Sequence, residues 1–180
     1  MNKSEINRYK RKHLSSVEFF FNSSEHEAST KNLLNKIKIC IKKKSNIYIF
    51  GNGGSGLNAM HMANDLMLIF KSLNYFVNVE SLNSNTGIIT CFANDFNYKN
   101  VFVEQLKIKA KKNDLVIMIS GSGNSENIIE SIKYLKREKI SNFTIIGFKG
   151  GRIKNFAENF IHFDVNDMQI FEDLTSIFNH

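Results

Sequence analysis

His61 and Asp65 stand four residues apart, so a helix carrying them presents an imidazole and a carboxylate on one face. Such a pair can move a proton near neutral pH. Just upstream lies Gly51-Asn-Gly-Gly-Ser55, entered from the apolar run Ile47-Tyr-Ile-Phe50. Small residues let the amides of Gly53, Gly54 and Ser55 approach an anion, and a helix N-terminus adds partial positive charge there. A second loop of the same kind, Ser120-Gly-Ser-Gly-Asn-Ser125, follows the run Asp114-Leu-Val-Ile-Met-Ile119 and brings three hydroxyls. The last stretch adds Gln169, Glu172, Asp173 and His180. An anion cradle joined to a histidine–carboxylate pair points to chemistry on a phosphorylated compound.

The elements that must position these groups can be read from periodicity. Helical patterns run from about Ile6 to Asn22 and from Glu25 to Lys44, with Ser24 or Ser29 as the cap of the second. Strands are expected at 46–50, 75–80, 114–120, 142–147 and 160–165, with helices between them and a closing helix from Asp167 to His180. Alternating strands and helices imply a doubly wound α/β sandwich with right-handed crossovers. Ligands of such sheets bind beyond the carboxyl ends of the strands, where both glycine–serine loops fall. A glycine–serine turn is commonly only a turn; two aimed at the same sheet edge carry more weight. Neither loop has the Gly-Lys-Ser/Thr of an NTPase, and the first lacks a full dinucleotide fingerprint. The apolar side of the two leading helices, with Phe19, Phe20 and Phe21, must cover a sheet or a partner subunit, and the partner is favoured.

Composition narrows the class. Charged residues are 23% and apolar residues 42%, which fits a folded chain and not a disordered one. No apolar run approaches a bilayer span, so a membrane partner is not expected. The net charge of +7 favours anionic ligands without choosing among them. The lysine runs, including Lys42-Lys43-Lys44, lie on amphipathic segments with no recognition motif, so nucleic acid is disfavoured. Cys40 and Cys91 lack metal-type spacing and read as buried reduced thiols of a cytoplasmic protein. His13 and His26 are assigned to the surface, and His162 to an edge or core position.

Taken in order, Gly51-Asn-Gly-Gly-Ser55, His61 with an acid four residues on, Ala93-Asn-Asp-Phe96, Ile119-Ser-Gly-Ser-Gly-Asn-Ser125 and an acidic tail ending in His180 resemble the phosphoheptose isomerases of the sugar isomerase (SIS) superfamily. The resemblance covers roughly residues 46 to 180, and the N-terminal helices match in length more than in sequence. It implies one SIS domain over residues 1–180, with helices in 1–44 and a phosphosugar-binding α/β core in 46–180 built on a five-stranded parallel sheet. It also implies a homotetramer assembled partly through the N-terminal helices, with active sites at subunit interfaces.

Residue by residue, the resemblance puts Asn52, Gly53, Gly54 and Ser55 on the substrate, Ser120, Ser122 and Ser125 on its phosphate, Asn124 as a brace of that loop, and Asp95 beside the sugar. His61, Asp65, Glu172 and His180 match a polar cluster that binds zinc in some members, and Asp65 with His180 matches the proton-transfer pair. Four differences stand out. Asp65 replaces the usual glutamate and is shorter by about 1.5 Å. Glu172 replaces a glutamine, Ile69 replaces a substrate-holding arginine for which Lys71 would stand in, and the family's last helix continues beyond its histidine. On one straight helix Glu172 and His180 lie about 12 Å apart along the axis, so a shared metal demands long reaches, an interrupted helix or two subunits.

Two functions are consistent with these residues. One is an aldose–ketose isomerase converting sedoheptulose 7-phosphate to a heptose 7-phosphate through an enediol, part of a heptose biosynthetic route. The other is a non-catalytic SIS protein that binds a phosphosugar as a sensor or assembly module.

Overall fold

The computed structural model describes residues 2–180. Two long helices lead, α1 (Lys3–Asn22) and α2 (Ser24–Lys43). There follow β1 (Ile47–Gly51), α3 (Gly54–Ser72), β2 (Val79–Ser81), α4 (Thr86–Phe96), α5 (Val103–Lys109), β3 (Leu115–Ser120), α6 (Glu126–Arg137), β4 (Ser141–Ile146), β5 (Phe160–His162) and α7 (Met168–Asn179). Single turns of 3-10 helix cover Tyr98–Asn100 and Arg152–Asn155.

All five strands are parallel, in the order β2-β1-β3-β4-β5. Every residue of β1 and β3 is buried, as continuous apolar runs between two helical layers must be. Alternate side chains divide the core. Ile47, Ile49, Ile117 and Ile119 pack against α2, α3 and α7, while Tyr48, Phe50, Val116 and Met118 pack against α5 and α6. The chain leaves β1 toward β2 on one side and β3 toward β4 on the other. The crevice beyond β1 and β3 is therefore the topological switch point of the sheet.

Several expectations are corrected. The cap of α2 is Ser23, whose side chain accepts the His26 amide, and not Ser24 or Ser29. The second strand begins at Val79, because Asn74 takes a left-handed φ of 57° and the Tyr75 amide returns to the Phe70 carbonyl to close α3. His26 is buried, not at the surface. Its ring lies among Phe19, Phe20 and Phe163, and Nε2 sits 3.0 Å from the His162 carbonyl. Cys40 is buried as expected, whereas Cys91 is exposed on α4. Of the leading aromatics, Phe20 turns into the core while Phe19 and Phe21 face outward.

Candidate active site

The loop after β1 is shaped by an asparagine pair. Asn52 Nδ2 donates to Asn127 Oδ1 at 2.8 Å, and Asn127 Nδ2 returns to Asn52 Oδ1 at 2.9 Å, tying the first elbow to the helix that follows the second. Tyr98 donates its hydroxyl to the same Asn52 oxygen at 2.9 Å. Asn83 clamps Gly51 through both its amide and its carbonyl. These supports were not evident in the sequence, since an asparagine inside a helix or loop announces no partner until the crossover is folded.

The second elbow braces itself. Ser120 Oγ accepts the Gly123 amide and Ser122 Oγ accepts the Asn124 amide, each at 3.2 Å. Asn124 accepts the Arg152 amide at 3.0 Å, tying this loop to the start of the second 3-10 helix. Gly123 has a φ of +65°, and a Cβ there would lie 2.1 Å from the Gly150 carbonyl oxygen. Between the elbows opens a cleft of about 320 Å³ lined by Asn52, Gly53, Gly54, Ser55, Ser120, Ser122 and Ser125, with Met168 and Glu172 from α7. Its amides and hydroxyls can hold an oxyanion without a cationic side chain. Asp95 and Asn124 do not line this cleft. Asp95 is exposed on α4, where it accepts hydrogen bonds from Asn94 at 2.8 Å and from the Cys91 thiol at 3.5 Å. That bond pushes the Cys91 thiol above its usual pKa, which makes it a poor nucleophile.

A second cluster forms farther along α3. α7 lies parallel to α3 on the same face of the sheet, and Asn58 stitches the two together. Asn58 Nδ2 donates to the Glu172 carbonyl at 3.0 Å, and Asn58 Oδ1 accepts the Ser176 hydroxyl at 2.8 Å. One turn on, this register delivers His180 to the histidine–carboxylate pair. Nε2 of His61 is 3.1 Å and Nε2 of His180 is 3.6 Å from Asp65 Oδ2, and the two Nε2 atoms are 3.4 Å apart. Asp65 Oδ2 is shielded from solvent, yet no hydrogen bond of good geometry reaches it.

That orphaned oxygen and the two facing nitrogens fit a divalent cation. Ligands about 2.1 Å from a tetrahedral ion are themselves separated by about 3.4 Å. His61, Asp65 and His180 could offer one ligand atom each, the number of protein ligands an open zinc site uses. Glu172 is not brought to this trio by its own chain. Its carboxylate lies over Gly54, where a Cβ would be 2.0 Å from Oε1. Ile69 and Lys71 are exposed near the end of α3 and do not line the cleft.

Residues 9–148 match the family model described as SIS domain. A probable phosphoheptose isomerase of Thermoplasma acidophilum is 37% identical over 145 residues, covering 81% of this chain and 76% of the relative. The phosphoheptose isomerase of Helicobacter pylori (strain HPAG1) is 34% identical over 118 residues, covering 66% of this chain and 62% of its own length. Among solved structures, a phosphoheptose isomerase from Francisella tularensis superposes with a TM-score of 0.90 at 19% identity, over all of this chain and 95% of that one. The one from Neisseria gonorrhoeae gives 0.83 at 20% identity, over 98% of this chain and 91% of that one. At that level of identity the superpositions establish the fold.

Proposed function

The chain belongs to the SIS-domain family, and from that premise we propose that it is a phosphosugar isomerase interconverting sedoheptulose 7-phosphate and an aldoheptose 7-phosphate. The observation that carries this reading is the convergence of His61, Asp65 and His180 beside a sheet whose switch-point elbows form an anion cleft. The Thermoplasma acidophilum and Helicobacter pylori relatives are both named as isomerases, which favours catalysis over a purely binding role.

In this mechanism the second elbow holds the phosphate through Ser120, Ser122, Ser125 and the free amides at the start of α6, with Asn124 holding the loop in shape. Asn52, Gly53, Gly54 and Ser55 line the other wall, against the sugar. Asp65 takes the proton from the carbon beside the carbonyl and returns it to the neighbouring carbon. His180 carries protons at the sugar oxygens, a task that suits an imidazole in both directions. A zinc ion held by His61, Asp65 and His180 would polarise those oxygens, and Glu172 joins such a set only from another subunit. Asp95 reaches the sugar on the same condition.

Geometry also bears on assembly. From Gly54 to Asp65 the axis of α3 rises about 16 Å, whereas the phosphorus of a seven-carbon ketose phosphate lies about 9 Å from its carbonyl carbon. A complete site therefore combines the elbows of one copy with the trio of another, in a homo-oligomer that we take to be a tetramer. We assign the enzyme, as a single SIS domain, to the cytoplasm and to heptose biosynthesis. Among the described residues no helix is long and apolar enough to cross a membrane.

Incubation with sedoheptulose 7-phosphate in deuterated water tests the reading. Label should enter at the carbons beside the carbonyl, and Asp65→Asn or His180→Ala should abolish it. Tight phosphosugar binding without exchange in the unmodified protein would instead mark a sensor.

A further inference from the structure

The cleft expected to take an anion contains one ionisable side chain, and it is a carboxylate. Glu172 is the sole charged residue among those lining it. Its head group lies directly over Gly54, the first residue of α3. No side chain caps α3 at Gly53, and the first turn of the helix carries no acid of its own. Glu172 therefore brings to this helix N-terminus, from α7, the negative charge that the helix dipole favours. Among the described residues, the one hydrogen bond to Glu172 from another side chain goes to its backbone carbonyl, from Asn58, which fixes the residue while leaving the carboxylate oxygens to accept from a ligand.

The two elbows are thus electrostatically unequal. The first is screened by a carboxylate. At the second, Glu126, the acid that opens α6, is paired with Arg152. An oxyanion is repelled from the first elbow and accepted by the second. A polyhydroxy chain is well suited to the first, because its hydroxyls can donate to Glu172 and accept from the amides of Gly54 and Ser55.

We propose that Glu172 is a specificity-determining residue that orients the ligand, reading the uncharged hydroxylated chain of a sugar monophosphate and rejecting a second anionic group at the Gly54 end of the cleft. This rests on the phosphosugar reading above, and it excludes bisphosphates and phosphorylated sugar acids as good ligands. It requires no proton transfer by Glu172 and no metal.

Calorimetric titration of the intact protein with inorganic phosphate, sedoheptulose 7-phosphate and a ketose bisphosphate tests the proposal, using the unmodified chain, Glu172→Gln and Glu172→Asp. Removing a like charge from the same cleft should tighten inorganic phosphate about tenfold in Glu172→Gln and bisphosphate by at least as much. The preference for the monophosphate over inorganic phosphate should fall correspondingly. Glu172→Asp keeps the charge but withdraws it by one methylene, so it should still bind phosphate weakly while losing affinity for the sugar. A thermal midpoint within a few degrees of the parent identifies folded variants. Unchanged selectivity in Glu172→Gln, with phosphosugar still bound by the parent, overturns the proposal and leaves the function standing. A parent protein that binds no phosphosugar overturns both.

Discussion

Nε2 of His61 and Nε2 of His180 come within 3.4 Å of each other although 119 residues separate them in sequence. Two imidazoles meeting nitrogen to nitrogen, with a carboxylate oxygen 3.1 and 3.6 Å away, gain little as neutral neighbours and repel when both are protonated. A shared cation or a shared proton reconciles the arrangement.

Protein stripped with chelator should bind zinc at one ion per chain, and the bound ion should raise its resistance to urea. At a free zinc concentration a hundred times the dissociation constant the gain is about 2.7 kcal/mol. His61→Ala and His180→Ala should each weaken binding at least tenfold, and Glu172→Gln should leave the affinity of an isolated chain unaltered. Equilibrium dialysis with metal analysis measures all three.

Asn58 offers a second test, of position rather than ligation. Its side chain bonds both the Glu172 carbonyl and the Ser176 hydroxyl, so it fixes the register of α7 on α3. Asn58→Ala should cost about 2 kcal/mol by urea unfolding, because buried partners lose their bonds. It should also weaken zinc, although residue 58 is no ligand. An undiminished metal affinity would show that His180 is held by other contacts.

Gly123→Ala addresses the second elbow. At a φ of +65°, with the Gly150 carbonyl 2.1 Å from the position of a Cβ, alanine is opposed by both backbone preference and contact. A loss of about 3 kcal/mol is expected in thermal or urea unfolding, together with loss of phosphate binding. A stable variant that still binds phosphate would mean the loop can open without cost.

Much of this was legible in the chain. The buried runs of β1 and β3 are unambiguous because both faces are covered, and the i, i+4 spacing places His61 and Asp65 together without further knowledge. The axial rise between residues 172 and 180 already showed that a shared ion demands long reaches, an interrupted helix or two subunits. What could not be read was tertiary. The burial of His26 depends on how the α1–α2 corner meets β5, and the early expectation for β2 failed because an edge strand with one neighbour carries a weak pattern. The place of Glu172 over Gly54 needs the parallel packing of α3 and α7, which no local periodicity encodes.

The structure also sets an alkaline limit. Tyr48 lies buried in β1, and desolvation, with the nearby Asp114 and Glu80 carboxylates adding to it, raises its pKa to about 12. The unfolded phenol titrates near 10. The folded value is the higher, so this contribution to stability is intact below pH 10 and is lost as pH rises from 10 through 12. A shift of this size corresponds to about 2–3 kcal/mol. Lysines titrate in the same window, so the measurement is the difference in urea stability between the parent and Tyr48→Phe from pH 9 to 12. That difference should change across the window, and a constant one would show that the phenol titrates alike in both states.

On the outward face of α3, Leu57, Met60, Met67 and Leu68 recur at helical spacing on either side of His61, and all stand exposed. Each large apolar side chain left in water forgoes about 1.5–3 kcal/mol of burial, and Phe19 and Phe21 on α1 add to the exposed surface. The same stripe borders the trio, so in the proposed assembly a second copy laid on it would bring an elbow toward Asp65. Met67→Glu with Leu68→Glu should therefore convert the oligomer to monomers in sedimentation velocity, with helical content preserved by circular dichroism. Such monomers should keep inorganic phosphate affinity, since the elbows are built within one chain, and should lose deuterium exchange at least a hundredfold. Monomers that turn over at the parental rate would show that the phosphate and the proton-transfer groups meet inside a single subunit, by a route other than the extended seven-carbon chain.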